Sequence, residues 1–135
     1  MRSEMTRRLS WRYAIALLLL CAAPVACAPK APPQDAGKSI ASTFLKEIQE
    51  GRVDAAWSAT TAEFKSMLGL EGLRAYVKKN KTLSRPSEFV SLTPVDRNGL
   101  AMAECLFRPA DAGSNVKVLL ARENGEWKVE RLSVE

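Results

Sequence analysis

The sequence predicts an α+β domain, with N-terminal helices packed on one face of an antiparallel sheet of about four strands. Three observations lead there. Apolar residues recur at helical spacing from Asp35 to Asn80, and from Ser87 onward the period shifts toward two. Asn124-Gly125 then stands between two alternating runs, among the stronger short-range hairpin signals. Helices followed by a run of strands argue a layered domain rather than a parallel α/β sheet.

The elements follow in order. Asp35 is placed to cap a first helix in which Ile40, Phe44, Leu45 and Ile48 share a face, with Lys46, Glu47 and Glu50 elsewhere and Gly51 just past the end. A second helix puts Val53, Ala56 and Trp57 on one side. Thr60 and Glu63 have the spacing of a capping box for a third, which presents Phe64, Met67 and Leu68. Beyond Gly69 and Gly72, Leu70, Leu73, Tyr76 and Val77 continue as a further helix to about Asn80. Phe89 to Val95 reads as a strand ending near Pro94, and Asp96-Arg97-Asn98-Gly99 as a turn. Leu100 to Phe107 is a second strand, Pro109 to Ser114 a loop, and Val116 to Arg122 with Trp127 to Val134 the closing hairpin.

Ahead of the domain lies an export signal. Arg2, Arg7, Arg8 and Arg12 form a basic start, and Ala14 to Ala23 is an apolar run of signal-core length. A membrane-spanning helix needs about 20 apolar residues, whereas the uncharged stretch from Tyr13 to Pro29 is interrupted by Pro24. Thr6-Arg7-Arg8 is similar to a twin-arginine signal, but Ser10 stands where an apolar residue belongs, so ordinary unfolded export is favoured. Pro24-Val25-Ala26-Cys27 resembles a bacterial lipobox, with Ala26 and Cys27 matching and Pro24 departing from the usual aliphatic residue. Acylation of Cys27 is the favoured reading, and plain cleavage after Ala28 is the alternative. The chain thus divides into residues 1–26, a signal peptide; 27–35, a lipid-anchored Pro-rich linker; and 36–135, the α+β domain. Pro29, Pro32 and Pro33 favour an extended spacer able to hold the domain ~20 Å from a lipid surface. Ala28 after the acylated Cys suits sorting to an outer membrane, with the domain facing the periplasm of a bacterial cell envelope.

Composition removes several functions. With no His and three Cys, the chain has no His-based triad, no His-containing zinc site and no disulfide scaffold, so no metal and no cofactor is expected. Of the net charge of +5, the leader's four Arg and one Glu carry +3. The mature chain keeps 16 Lys plus Arg against 14 Asp plus Glu, or +2, so nucleic-acid binding loses its support.

The run from Phe44 to Asn80 resembles the helical half of small exported domains of the nuclear transport factor 2-like (SnoaL-like, cystatin-like) superfamily. The residues that carry the likeness are Phe44 to Glu50, Gly51, Asp54 to Trp57 and the closing Gly125-Glu126-Trp127-Lys128-Val129. It covers about residues 36 to 135 and implies a cone-shaped fold with a curved sheet and a pocket between helices and sheet. Enzymes, ligand binders and assembly domains share that fold, so it does not select a function.

Trp57, Tyr76 and Glu104 are the candidate pocket residues. Glu104 interrupts the apolar run from Leu100 to Phe107. On one parity it is a desolvated carboxylate able to act as a base; on the other, Ala101, Ala103, Cys105 and Phe107 are buried and Glu104 is solvated, which is favoured. Tyr76 reads as a core or rim aromatic, Asp54 as a helix-start charge and Cys105 as a small buried residue. Lys78, Lys79, Lys81 and Arg85 cluster near the end of the last helix, either as solvated cations or as a contact for anionic lipid. No catalytic residue is assigned. The expectation is a non-enzymatic envelope lipoprotein serving as a binding or assembly module. It meets the membrane through its N-terminal lipid and a protein partner, or a second copy, through its sheet face. A pocket binding a small apolar ligand is the alternative, and an enzyme with Glu104 as base comes third.

Overall fold

The computed structural model describes residues 30–111 and 113–135; the signal peptide and the lipobox with Cys27 lie outside the described residues. Four helices precede four strands. These are α1 (Gln34–Gln49), α2 (Val53–Ser58), α3 (Ala62–Met67) and α4 (Leu70–Lys79), then a 3-10 turn at Lys81–Ser84, β1 (Ser87–Arg97), β2 (Leu100–Pro109), β3 (Val116–Glu123) and β4 (Glu126–Val134). The strands make one open antiparallel sheet in the order β1-β2-β3-β4. The expected α+β architecture, helices on a curved antiparallel sheet, is what the chain adopts.

Several boundaries move, each for a local reason. α1 starts ahead of Asp35: Pro33 holds the cap position without a side-chain bond, and Asp35 falls in the first turn, where a negative charge suits the helix dipole. Pro32, expected in a free spacer, is buried against the domain. At the other end the Gly51 N–H donates to the Ile48 carbonyl and the Arg52 N–H to the Glu47 carbonyl. This paired closure needs a left-handed residue, and Gly51 has φ +80°. The cap of α3 is Thr61 rather than Thr60; its hydroxyl accepts from the Phe64 N–H, while Thr60 bridges to Val129. β1 runs on through Pro94 to Arg97. It is an edge strand, where a proline's missing N–H leaves no gap in an inner ladder. Asn98-Gly99 and Asn124-Gly125 both have positive φ throughout, as two-residue hairpin turns require.

One core joins the helices to one face of the sheet. Ala41, Phe44, Leu45 and Ile48 of α1 pack with Ala56, Phe64, Leu73, Val77 and Leu83 against Ala103, Cys105, Phe107, Val116, Val118, Leu120 and Val129. Phe44 and Phe64 meet edge to face, as do Phe89 and Phe107. Gly37 makes the approach of α1 to the sheet close: a methyl group there would fall 2.3 Å from Leu92 Cδ1. A second, smaller cluster of Met102, Leu119 and Ala121, with Val95 against it, contains no helix residue and lies on the sheet's other face.

Two irregularities set which side chains face which way. β1 shifts register between Phe89 and Ser91, and β4 shifts opposite Leu119/Leu120. An extra residue flips the alternation beyond it. Phe89 and Leu92 of β1, and Trp127, Val129, Leu132 and Val134 of β4, therefore all pack on the helix side.

Candidate functional site

The three residues singled out as pocket candidates do not converge. Trp57 and Tyr76 are half-buried against the helix-side core, whereas Glu104 lies between Ala103 and Cys105, whose side chains enter that core, and so faces the opposite side. The Trp57 indole N–H donates to the Leu68 carbonyl at 3.0 Å, which ties α2 to the residue that ends α3 and leaves the indole no free polar handle. Cys105 is fully buried; burial, reinforced by the nearby Glu104 charge, pushes its thiol up to about 11. An inert thiol follows. Asp54 is exposed in the first turn of α2.

Glu104 belongs instead to a depression of about 290 Å³ on the open sheet face, shared with Val95, Arg97, Lys117, Leu119, Arg131, Ser133 and Glu135. Cross-strand register builds it. Thr93, Glu104, Leu119 and Arg131 stand in one row across four strands, and Leu106, Lys117 and Ser133 in the next. Lys117 Nζ lies 2.7 Å from Glu135 Oε2, and that bond holds the ammonium above the usual lysine range, with Glu104 adding to the pull. Its apolar lining is Val95 and Leu119, which pack with Met102 and Ala121. The site thus carries three cations and two carboxylates, with the Ser133 hydroxyl beside them.

A second depression, about 430 Å³, runs between α1 and the edge strand β1, lined by Lys38, Ser42, Leu45, Gln49, Glu88 and Phe89 among others. Lys38 Nζ stands 5.3 Å from the Phe89 ring centre, a cation–π distance. Among the described residues no group of three or more His, Cys, Asp or Glu is placed to hold a metal ion. No helix of the described residues is long and apolar enough to cross a membrane.

The basic residues Lys78, Lys79, Lys81 and Arg85 are all exposed. Arg85 pairs with Asp111, and its carbonyl accepts from Gln49 Nε2, which places the cluster beside the C-terminal end of α1. Sequence reasoning missed Arg97, Lys117, Arg131 and Glu135. Arg131 and Glu135 join Lys117 on this face through the register shift in β4, which no local pattern announces.

No protein-family model matches the chain, and no curated protein matches it.

Proposed function

We propose that the protein is a non-enzymatic, lipid-anchored module of the cell envelope that assembles through the open face of its sheet, with a second copy of the chain as the occupant. The observation that carries this reading is the mixed charge of that face, where Arg97, Lys117 and Arg131 stand with Glu104 and Glu135 around Val95 and Leu119. A two-fold axis along the strands sets β1 opposite β4 and β2 opposite β3. Glu104 on β2 then faces Leu119 on β3 of the second copy, with Lys117 two residues along the strand. A face that carries charges of both signs complements itself.

Catalysis has less support. Glu104 sits among cations rather than in an apolar pocket, and Trp57 and Tyr76 are on the far side of the sheet. Small-ligand binding stands second: the groove beside α1 offers Leu45, Phe89 and Phe107, but Lys38, Ser42, Gln49 and Glu88 line it equally.

The test is cysteine cross-linking of the full chain in bacteria that export it. Leu106→Cys places a thiol on the open face of the inner strand β2, next to the two-fold axis, and Ser58→Cys places one on α2 as the control. Native Cys105 is buried and does not compete. A disulfide-linked dimer at Leu106→Cys, absent at Ser58→Cys, is expected. Equal dimer in both, or none, overturns the second-copy reading, and a cross-linked band of another mass replaces it with a different protein. A wild-type dimer through Cys27 would show that this thiol is not acylated and sink the anchor.

A further inference from the structure

We infer that the end of the sheet bearing the β1–β2 and β3–β4 turns lies against the lipid surface, and that the basic cluster at the opposite end faces away from it. The inference rests on the proposed acylation of Cys27 and goes beyond it to an orientation.

Pro32 is buried on the domain, so only five peptide units separate Cys27 from a fixed point. However those units run, they span at most ~18 Å. The domain is therefore not suspended on a nine-residue spacer but held close by a short one.

Gly37, near the start of α1, lies against Leu92 and Leu120, with the Cys105 thiol near its carbonyl. Gln49, at the other end of α1, bonds to Arg85 just ahead of β1. α1 therefore runs antiparallel to β1, and its N-terminal end points toward the Asp96–Gly99 turn. In an antiparallel meander the Asn124-Gly125 turn lies at that same end. The sixteen residues of α1 span ~24 Å, which separates Pro32 from the Lys81–Arg85 region. A tether of ~18 Å cannot loop past a ~24 Å helix to let that region meet the bilayer head-on. With the turn end against the bilayer, Lys78, Lys79, Lys81 and Arg85 stand beyond the ~8 Å over which a headgroup layer is felt at physiological salt.

An independent observation lies at the near end. Leu100, 62% exposed, is the most exposed large apolar side chain among the described residues, and it sits in the β1–β2 hairpin beside Arg97. Arg122, over the half-buried Trp127 ring at 5.9 Å, occupies the neighbouring hairpin. A protruding leucine beside one arginine, with a second arginine in the hairpin at the same end of the sheet, has the chemistry of an interfacial contact, apolar tip inward and guanidinium groups at the phosphates.

The experiment uses the full-length acylated protein reconstituted in phosphatidylethanolamine–phosphatidylglycerol vesicles. Single cysteines at Leu100 and Glu126, near the turns, and at Lys81 and Ser114, at the far end, carry an environment-sensitive fluorophore. A quencher attached to lipid headgroups is then added. Stronger quenching at Leu100→Cys and Glu126→Cys than at Lys81→Cys and Ser114→Cys, at least twofold, is expected. Equal quenching at the two ends, or the reverse order, overturns the orientation while flotation with the vesicles leaves the anchor standing. Failure of the wild-type chain to float, with an unacylated Cys27 by mass spectrometry, overturns the anchor reading and the orientation with it. Leu100→Ser keeps the tether and removes the tip; it should lower quenching at Glu126→Cys without releasing the protein from vesicles.

Discussion

Thr61 is the residue through which the helical layer is fastened to the edge of the sheet, and removing its hydroxyl tests that directly. Its N–H donates to the Val129 carbonyl at 3.0 Å, its carbonyl accepts from the Lys65 N–H, and its hydroxyl accepts from the Phe64 N–H at 3.1 Å while donating to Glu130 Oε2. The side chain is 2% exposed, so water is not at hand to replace a lost partner. Thr61→Val keeps the shape and both backbone bonds but strands the Phe64 N–H and the Glu130 oxygen. Loss of an N-cap costs about 1 kcal/mol, and loss of a hydrogen bond to a charged acceptor, here able to turn toward solvent, about another 1. The variant should therefore be destabilised by ~2 kcal/mol. With a urea slope of about 2 kcal/mol/M for a domain of this size, the midpoint should fall by roughly 1 M with the slope unchanged. Tryptophan fluorescence reads it, since Trp57 and Trp127 flank the junction. Thr61→Ser, which keeps the hydroxyl, should recover most of the loss. If Thr61→Val unfolds within 0.25 M of the wild type, or Thr61→Ser falls as far as Thr61→Val, the reasoning about this cap is wrong.

Three further outcomes follow from the same structure. Glu123 accepts from the Ala62 N–H at 2.6 Å and from Lys128, which holds its carboxyl below the ordinary range. A depressed folded pKa gives stability that is present above the unfolded value near 4.3 and lost as pH falls through the folded one. Glu123→Gln should therefore be less stable than the wild type at pH 7, and the gap should close in acid melts. Cys105 behaves in the opposite sense: its buried thiol titrates at about 11, so between the unfolded value of about 8.5 and that pH only the unfolded chain ionises. The wild type should lose about 2 to 3 kcal/mol more than Cys105→Ala on going from pH 8 to pH 11, and equal losses would refute the burial argument. Leu120→Ala, at a fully buried central position, should cost about 2 to 5 kcal/mol by urea denaturation.

How much of this was legible in the sequence depends on whether the information was local. The helices announced themselves because α1 and α4 each bury one stripe, and Ile40, Phe44, Leu45, Ile48, Leu73 and Val77 keep helical spacing along it. Both Asn-Gly turns were legible for a similar reason, since each fixes its own positive-φ backbone. Cap positions were legible only to within a residue: Thr60 and Thr61 have the same chemistry, and it is the bridge from Thr60 to Val129, 69 positions away, that decides between them. The sheet faces were the least legible. Along β4 the apolar residues Trp127 and Val129 are odd-numbered while Leu132 and Val134 are even-numbered, and strict alternation sends one pair or the other to solvent. The structure resolves this by shifting register there, between partners Leu119 and Leu120, and Glu130 is the residue left over.

That leftover residue connects the two questions, fold and site. By absorbing one position, the shift lets all four apolar residues of β4 join the helix-side core and at the same time turns Arg131, Ser133 and Glu135 onto the open face, where Lys117 and Glu104 wait. The displaced Glu130 is not idle, because its carboxylate takes the proton of the Thr61 hydroxyl in a hydrogen bond and so locks α3 onto the sheet edge. A strand without the shift would have to leave Leu132 and Val134 on the open face and bury Arg131 against the helices, an uncompensated charge in the core. The mixed-charge surface proposed here for self-assembly and the cap that fastens α3 are therefore two consequences of one inserted residue. Deleting Glu130 removes only the surplus position: Val129 stays opposite Leu120 and Arg131 opposite Leu119, so the open face and its cross-link through Leu106→Cys should survive, while the Thr61 hydroxyl loses its acceptor and urea denaturation shows a loss smaller than that of Thr61→Val. Loss of the cross-link in a deletion variant that still unfolds cooperatively would refute the account of Glu130 as the one inserted residue.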